Sequence, residues 1–271
     1  MESTFITTLT QGEIFPYRYS ICTLVSKPDE YHEMINSFVS AGFDTQQCEY
    51  LCIDNYKENM FEAYEGINLF LRKAKGEFII LCHQDIILHD AGIVELNEQI
   101  EYVDKKDSKW AVLGNAGGIN LKQLAMHLTQ TSGNKLHEDY LPLKAITVDE
   151  NFMLVKNSAN LSLSSNLNGF HFYGTDLCII ADVLGYNAYV IDFNLTHKSD
   201  GNADENFYQI RKSLINKYRK AFRGRFISTT FSTRFYLSGE GIKNRLLNTG
   251  FVLFFVRQFY KYFRLKKRYQ L

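Results

Sequence analysis

The chain has no net charge over 271 residues and no Cys-x-x-Cys pair among its five cysteines. It also lacks any internal repeat or low-complexity tract. Each absence removes a class of protein. Without Cys-x-x-Cys there is no zinc-ribbon pattern. Cys48 and Cys52, if both extended, lie about 13 Å apart at roughly 3.3 Å per residue, too far for a disulfide. Cys22, Cys52 and Cys82 fall in predicted core strands and Cys178 in a predicted helix, so the thiols read as buried residues of a reducing compartment. The turn Ser26-Lys27-Pro28-Asp29 lacks the Gly-x-Gly-x-x-Gly of dinucleotide sites, and no Gly-rich lysine loop is present. Met1 to Pro16 shows no charged-then-apolar leader. After Phe251 there is no acidic residue, only six basic ones, so the preceding part is acidic by the same amount. An apolar content of 45% is ordinary for a folded protein, and the length suits one sizeable α/β core with an appendage.

What the chain does have is a repeated grammar of apolar run and helical stripe. Phe78 to His83 is apolar or aromatic without alternation, as expected of a parallel strand covered on both faces. Ahead of it, Met60, Phe61, Tyr64, Ile67, Phe70, Leu71 and Ala74 recur at three- and four-residue steps, predicting a helix that Gly76 ends in a left-handed conformation. Tyr19 to Val25 predicts an earlier strand, and Ser26 an N-cap for a helix entered through Pro28 and stopped near Gly42. Tyr50 to Ile53 predicts a third strand. Two crossovers joining three parallel strands make a Rossmann-like half sheet. Its strands deliver Ser26, Asp54-Asn55 and His83-Gln84-Asp85 at their carboxyl ends, where open α/β sheets bind ligands.

Further along, Ala111 to Gly114 predicts a fourth strand, followed by the Gly-rich loop Asn115-Ala116-Gly117-Gly118. Lys122 to Leu143 has little periodicity and reads as a variable loop, with His127 and His137 solvated rather than metal-binding. Val148-Asp149-Glu150 precedes the strand-like Phe152 to Val155. Leu177, Ile180, Ala181 and Leu184 predict a helix that Gly185 ends. Tyr189 to Ile191 is strand-like and leads to Thr196-His197-Lys198-Ser199.

In order and spacing, these pieces resemble the family-2 type glycosyltransferases of the GT-A fold, in a bacterial branch whose metal loop reads His-Gln-Asp where most relatives have Asp-x-Asp. The resemblance covers Tyr19 to about Gly201, including Gly169-Phe170-His171-Phe172-Tyr173 and Asp176-Leu177. It implies inverting transfer of a sugar from a nucleotide donor, UDP type favoured, to an acceptor hydroxyl. It also implies Mn²⁺ or Mg²⁺ on Asp85, with His197 as a further ligand or a structural histidine. Donor contacts fall on Ser26, Asp54, Asn55, His83 and Gln84, and acceptor contacts on Asn115, Gly117, Asp149 and Tyr173. Relatives carry an acidic pair ahead of Asp-Leu, and the base position there falls on Gly174, which cannot take a proton. The base is therefore assigned to Asp176, with His171 and Asp149 as alternatives.

Fifteen helical residues from Phe251 to Leu265 would reach about 22 Å, short of the roughly 30 Å hydrocarbon core. With its aromatics and basic flank this tail suits an anionic membrane surface, or packing on protein. The expected layout is an extension over 1–18, a GT-A domain over 19–225 and a helical region over 226–271. The expected function is synthesis of bacterial surface polysaccharide on a glycan or lipid-linked acceptor, in the cytoplasm or on the inner face of the membrane. No nucleic-acid partner is expected, and homo-oligomerisation is left open. The alternative is a non-catalytic nucleotide-sugar-binding subunit.

Overall fold

The computed structural model describes residues 15–138, 140–199, 205–230 and 233–262. Most of the expected amino-terminal extension and the end of the tail, with Arg264, Lys266, Lys267 and Arg268, lie outside these. The first elements are β1 (Tyr17–Val25), α1 (Pro28–Ser40), β2 (Cys48–Asp54), α2 (Ala63–Lys73), β3 (Gly76–Cys82), β4 (Ile86–Ile87), α3 (Ile93–Lys106) and β5 (Trp110–Gly114). Then come β6 (Ala116–Gly118), β7 (Leu124–Gln130), β8 (Lys135–His137), β9 (Leu143–Ala145), β10 (Thr147–Val148), β11 (Phe152–Lys156), α4 (Tyr173–Val183), β12 (Asn187–Val190) and β13 (Thr196–His197). Last are α5 (Glu205–Ala221), β14 (Arg225–Ser228), β15 (Arg234–Leu237), α6 (Gly241–Leu247) and α7 (Gly250–Tyr262).

The chain forms two compact units that part between Arg211 and Lys212, within α5. The first is built on a seven-stranded sheet in the order β2-β1-β3-β11-β5-β12-β9. β2, β1, β3, β5 and β12 run one way, and β11 and β9 run against them. This is the mostly parallel, helix-flanked α/β architecture expected from the strand and helix grammar. The apolar run in β3 has its reason here. It lies between β1 and β11, with Ile79, Ile80 and Leu81 all buried. Phe78 stacks on Trp110 of β5 at 5.8 Å between ring centroids, an aromatic contact worth about 1 kcal/mol.

Several local expectations are corrected. Ser26 does not cap α1: Lys27 holds that position, without a side-chain hydrogen bond. Gly76 does not end α2 in a left-handed turn but opens β3. A Cβ on it would lie 2.5 Å from the Ser20 backbone nitrogen, so the residue is glycine for closeness to β1. Cys52 is exposed because β2 is an edge strand. Helix α3 went unread in the sequence, although Ile93, Leu96, Ile100 and Val103 make its buried stripe. The supposed loop over 122–143 contains the β7–β8 hairpin of a second sheet, ordered β10-β6-β7-β13-β4, with β8 on β7. Gly42 and Gly185 do end α1 and α4 with positive φ, at 93° and 87°.

The second unit holds the β14–β15 hairpin, α6 and α7. No residue of α7 is buried, and Phe251, Phe254, Phe255 and Phe259 are exposed. No helix among the described residues is long and apolar enough to cross a membrane.

Candidate active site

From β1 the chain passes through α1 to β2 on one side, and β3 then pairs with the other side of β1. The two connections diverge there and leave a crevice at the strands' carboxyl ends, the usual ligand position of an open α/β sheet. A cleft of about 490 Å³ opens at that point, lined by Leu24 of β1 and Ser26 just after it, by Asn55, by His83, Gln84 and Asp85, and by Glu150, Tyr173 and Ser199.

His83 and Asp85 line this cleft and meet His197, which is not among its lining residues, with the potential ligand atoms of the three all within 4.8 Å of one another. The sheet register explains how residues so distant in sequence meet. β13 pairs antiparallel with β4, placing His197 opposite Ile86, next to Asp85. Lys198 donates its backbone N–H to the Asp85 carbonyl at 3.0 Å. His197 Nε2 then lies 3.3 Å from Asp85 Oδ1, and His83 Nδ1 lies 3.4 Å from His197 Nε2. Burial raises Asp85, but hydrogen bonds from His197 and Ser199 outweigh it and hold the carboxyl well below its ordinary range. Burial, then the neighbouring His197 imidazole, lower His83. The other His83 nitrogen, Nε2, meets the Tyr173 hydroxyl at 2.9 Å.

The remaining expected donor residues are spent largely on the protein itself. Gln84 accepts from the Ser26 and Lys27 backbone N–H groups at 2.8 and 2.9 Å and donates to Ser26 Oγ, clasping the β1–α1 turn to the His-Gln-Asp loop. Asn55 pairs its amide with the Phe61 backbone. Asp54 is exposed, accepts from the Tyr56 N–H in a local turn, and does not line the cleft.

Asp176 lines neither this cleft nor the smaller one described below. It is fully buried, and its two carboxylate oxygens accept from the Ser164 backbone N–H at 2.8 Å and Ser164 Oγ at 2.7 Å. A base must reach its substrate, and this carboxylate instead ties the segment before α4 to the helix. Asn115, expected at the acceptor, is likewise buried and donates to the His127 carbonyl. Gly117 and Asp149 line a second cleft of about 260 Å³, whereas Tyr173 lines the first. His171 lines neither, its ring lying edge-on to Phe207.

The residue the sequence reading passed over is Glu150, which lines both clefts. Its Oε1 accepts from the Gly174 N–H at 3.0 Å, at the amino end of α4. A Cβ at Gly174 would lie 3.1 Å from Glu150 Cγ. It would also lie 2.6 Å from the Val148 carbonyl oxygen, so the glycine lets α4 pack closely on the turn that carries Glu150 into β11. Burial pushes Glu150 up from its ordinary 4.5 to about 8; the charge of Asp149 adds to this, while the N–H groups at the start of α4 oppose it. The available signal was a second acid directly after Asp149, at the entry to a strand paired with β3.

Fold and site together define a helix-flanked α/β protein with a histidine and carboxylate cluster at the switch point of its main sheet. No family model matches the sequence. The chain is 35% identical over 215 residues to "ATP synthase subunits region ORF 6" of Fuscovulum blasticum, covering 77% of this chain and 86% of that protein. It belongs to the same family as that protein. Among solved structures it is similar to S. aureus TarS 1-349, at a TM-score of 0.48 and 11% identity over 74% of this chain and 65% of that one. The same fragment in complex with UDP-GlcNAc gives a TM-score of 0.47 at 11% identity, over 74% and 66%. A197 from STIV gives 0.39 at 10% identity, over 68% and 86%.

Proposed function

We propose that the chain is a family-2 type glycosyltransferase that moves a sugar from a nucleoside-diphosphate donor to a hydroxyl acceptor. The observation that carries this reading is the placing of Glu150 on two clefts, one of which is also lined by His83 and Asp85, the residues that meet His197. A donor in the larger cleft and an acceptor in the smaller one would meet at that carboxylate.

Asp85, His197 and His83 are the residues that would hold a divalent cation, and their mixed imidazole and carboxylate set suits Mn²⁺ better than the oxygen-seeking Mg²⁺. Such an ion supplies charge neutralisation for a departing diphosphate. The protein's own part is positional and protic. Tyr173 orients His83 through its hydroxyl, and Gln84 fixes the loop that carries Asp85. As the acceptor oxygen bonds to the anomeric carbon, the bond from that carbon to the diphosphate breaks with its electron pair. The acceptor proton passes to Glu150, whose pKa lies near working pH, as a general base requires. Attack from the face opposite the leaving group inverts the anomeric centre. A glycan or lipid-linked acceptor in surface polysaccharide synthesis, approached with α7 on an anionic membrane, completes the reading.

Thermal shift against a panel of nucleotide sugars, with and without Mn²⁺, tests it. The expected result is stabilisation by a UDP-sugar that requires Mn²⁺ and is lost in Asp85→Ala. Equal, metal-independent stabilisation in that variant overturns the site. Binding without transfer or donor hydrolysis favours a non-catalytic subunit instead.

A further inference from the structure

A second cluster of ligand-type side chains lies outside both clefts. His127 on β7 and His137 on β8 stand opposite each other in the antiparallel register of that hairpin. Their rings are 4.4 Å apart between centroids and inclined at 59°. Asp192, in the turn after β12, brings its carboxylate to the same point. Its Oδ1 lies 3.4 Å from His137 Nε2 and in close contact with His127 Nδ1. The three potential ligand atoms fall within 4.8 Å of one another.

Two features separate this group from a surface ion pair. The His127 side chain is 12% exposed, and while its Nδ1 is held against Asp192, its Nε2 finds no hydrogen-bond partner among the described residues. A buried polar atom in that condition is uncommon. The 3.4 Å between His137 Nε2 and Asp192 Oδ1 is close to the roughly 3.3 Å that separates two ligand atoms held tetrahedrally about 2.05 Å from one zinc ion, whereas His127 Nδ1 lies nearer than that to the same oxygen and would draw back to admit an ion.

We propose that His127, His137 and Asp192 form a Zn²⁺ site, with a fourth position open to water. Two imidazoles and one carboxylate on three separate segments make a donor set that zinc accepts and that Mg²⁺ or Ca²⁺ does not. Its effect is mechanical. β7 runs parallel to β13 with Gln130 opposite His197, and Thr131 Oγ1 donates to the Lys198 carbonyl at 2.9 Å. An ion joining the hairpin to Asp192 ties both ends of the segment 192–198 to β7, and so steadies the strand that carries His197. The site stands without the glycosyltransferase reading.

Calorimetric titration of the metal-freed full chain with Zn²⁺ tests the assignment. In Asp85→Ala/His197→Ala, which disables the first cluster, one equivalent is expected to bind. Adding His137→Ala or Asp192→Asn is expected to weaken that binding at least tenfold. No binding in the doubly substituted chain means a simple histidine and aspartate ion pair and overturns the site, as does binding unchanged by both added substitutions. If the double substitution does not fold, His137→Ala alone is expected to lower the zinc stoichiometry of the parent by one, and an unchanged stoichiometry refutes the proposal. His137 is partly exposed, so the apo melting temperature should not move. Hydrogen exchange over 124–137 is expected to slow with Zn²⁺ only where His137 is intact.

Discussion

The Gly174 N–H donates to Glu150 Oε1 at 3.0 Å, and a Cβ on the glycine would crowd the Val148 carbonyl oxygen and the same glutamate's Cγ. Where the family resemblance places a basic carboxylate on α4, this chain brings one in from the neighbouring turn. Glu150→Gln keeps the size of the side chain and its amide oxygen as acceptor for Gly174. The substitution is expected to slow turnover by about two orders of magnitude or more, the usual weight of a general base, with donor affinity unchanged. In the parent, kcat/KM should rise with pH up to about 8, as Glu150 ionises, and that limb should vanish in the variant. Initial rates across the range from acid to mildly alkaline pH decide it.

The same group sets a pH dependence of stability. Glu150 titrates near 8 in the fold and near 4.5 when free, so between those values the native state holds more protons than the unfolded chain. Stability from this residue therefore declines as pH rises through that window. Neighbouring Asp149 adds to the shift, and Tyr173 and Cys178, which face the same carboxylate, are themselves raised and stay neutral there. Glu150→Gln should melt close to the parent at the acid end of the window, near 4.5, and progressively above it toward 8. A constant gap in melting scans contradicts the buried-acid account.

Asp176→Asn separates a structural carboxylate from a chemical one. Ser164 offers it two donors, N–H and Oγ–H, and an asparagine can accept with only one oxygen. The substitution should cost about 2 kcal/mol by leaving a buried polar contact unmade, read as a lower denaturation midpoint. The folded variant should keep the turnover of the parent. A large loss of turnover with unchanged stability returns Asp176 to the catalytic role.

Much of the main sheet was legible because its signals are local. Covered strands such as β3 read as unbroken apolar runs, and Gly42 and Gly185 mark helix ends with the positive φ that glycine tolerates. The His83-Gln84-Asp85 loop was legible for a similar reason, since polar residues directly after a buried strand emerge at the sheet's edge. α3 carries a local signal of the same kind in the stripe of Ile93, Leu96, Ile100 and Val103. The β7–β8 hairpin gave little signal, because its strands are only partly buried and need no apolar alternation.

Local composition therefore determined by itself that this chain builds a parallel α/β core and where its ligand edge lies. Which carboxylates reach that edge was decided only in three dimensions. Asp176 and Glu150 are both acids near α4, and nothing local distinguishes them. Packing turns Asp176 inward onto Ser164 and places Glu150 on the two clefts, while strand pairing brings His197 to Asp85 and His127 to His137. Burial and direction of a side chain depend on what the rest of the chain stacks against it, and those neighbours lie tens of residues away in sequence.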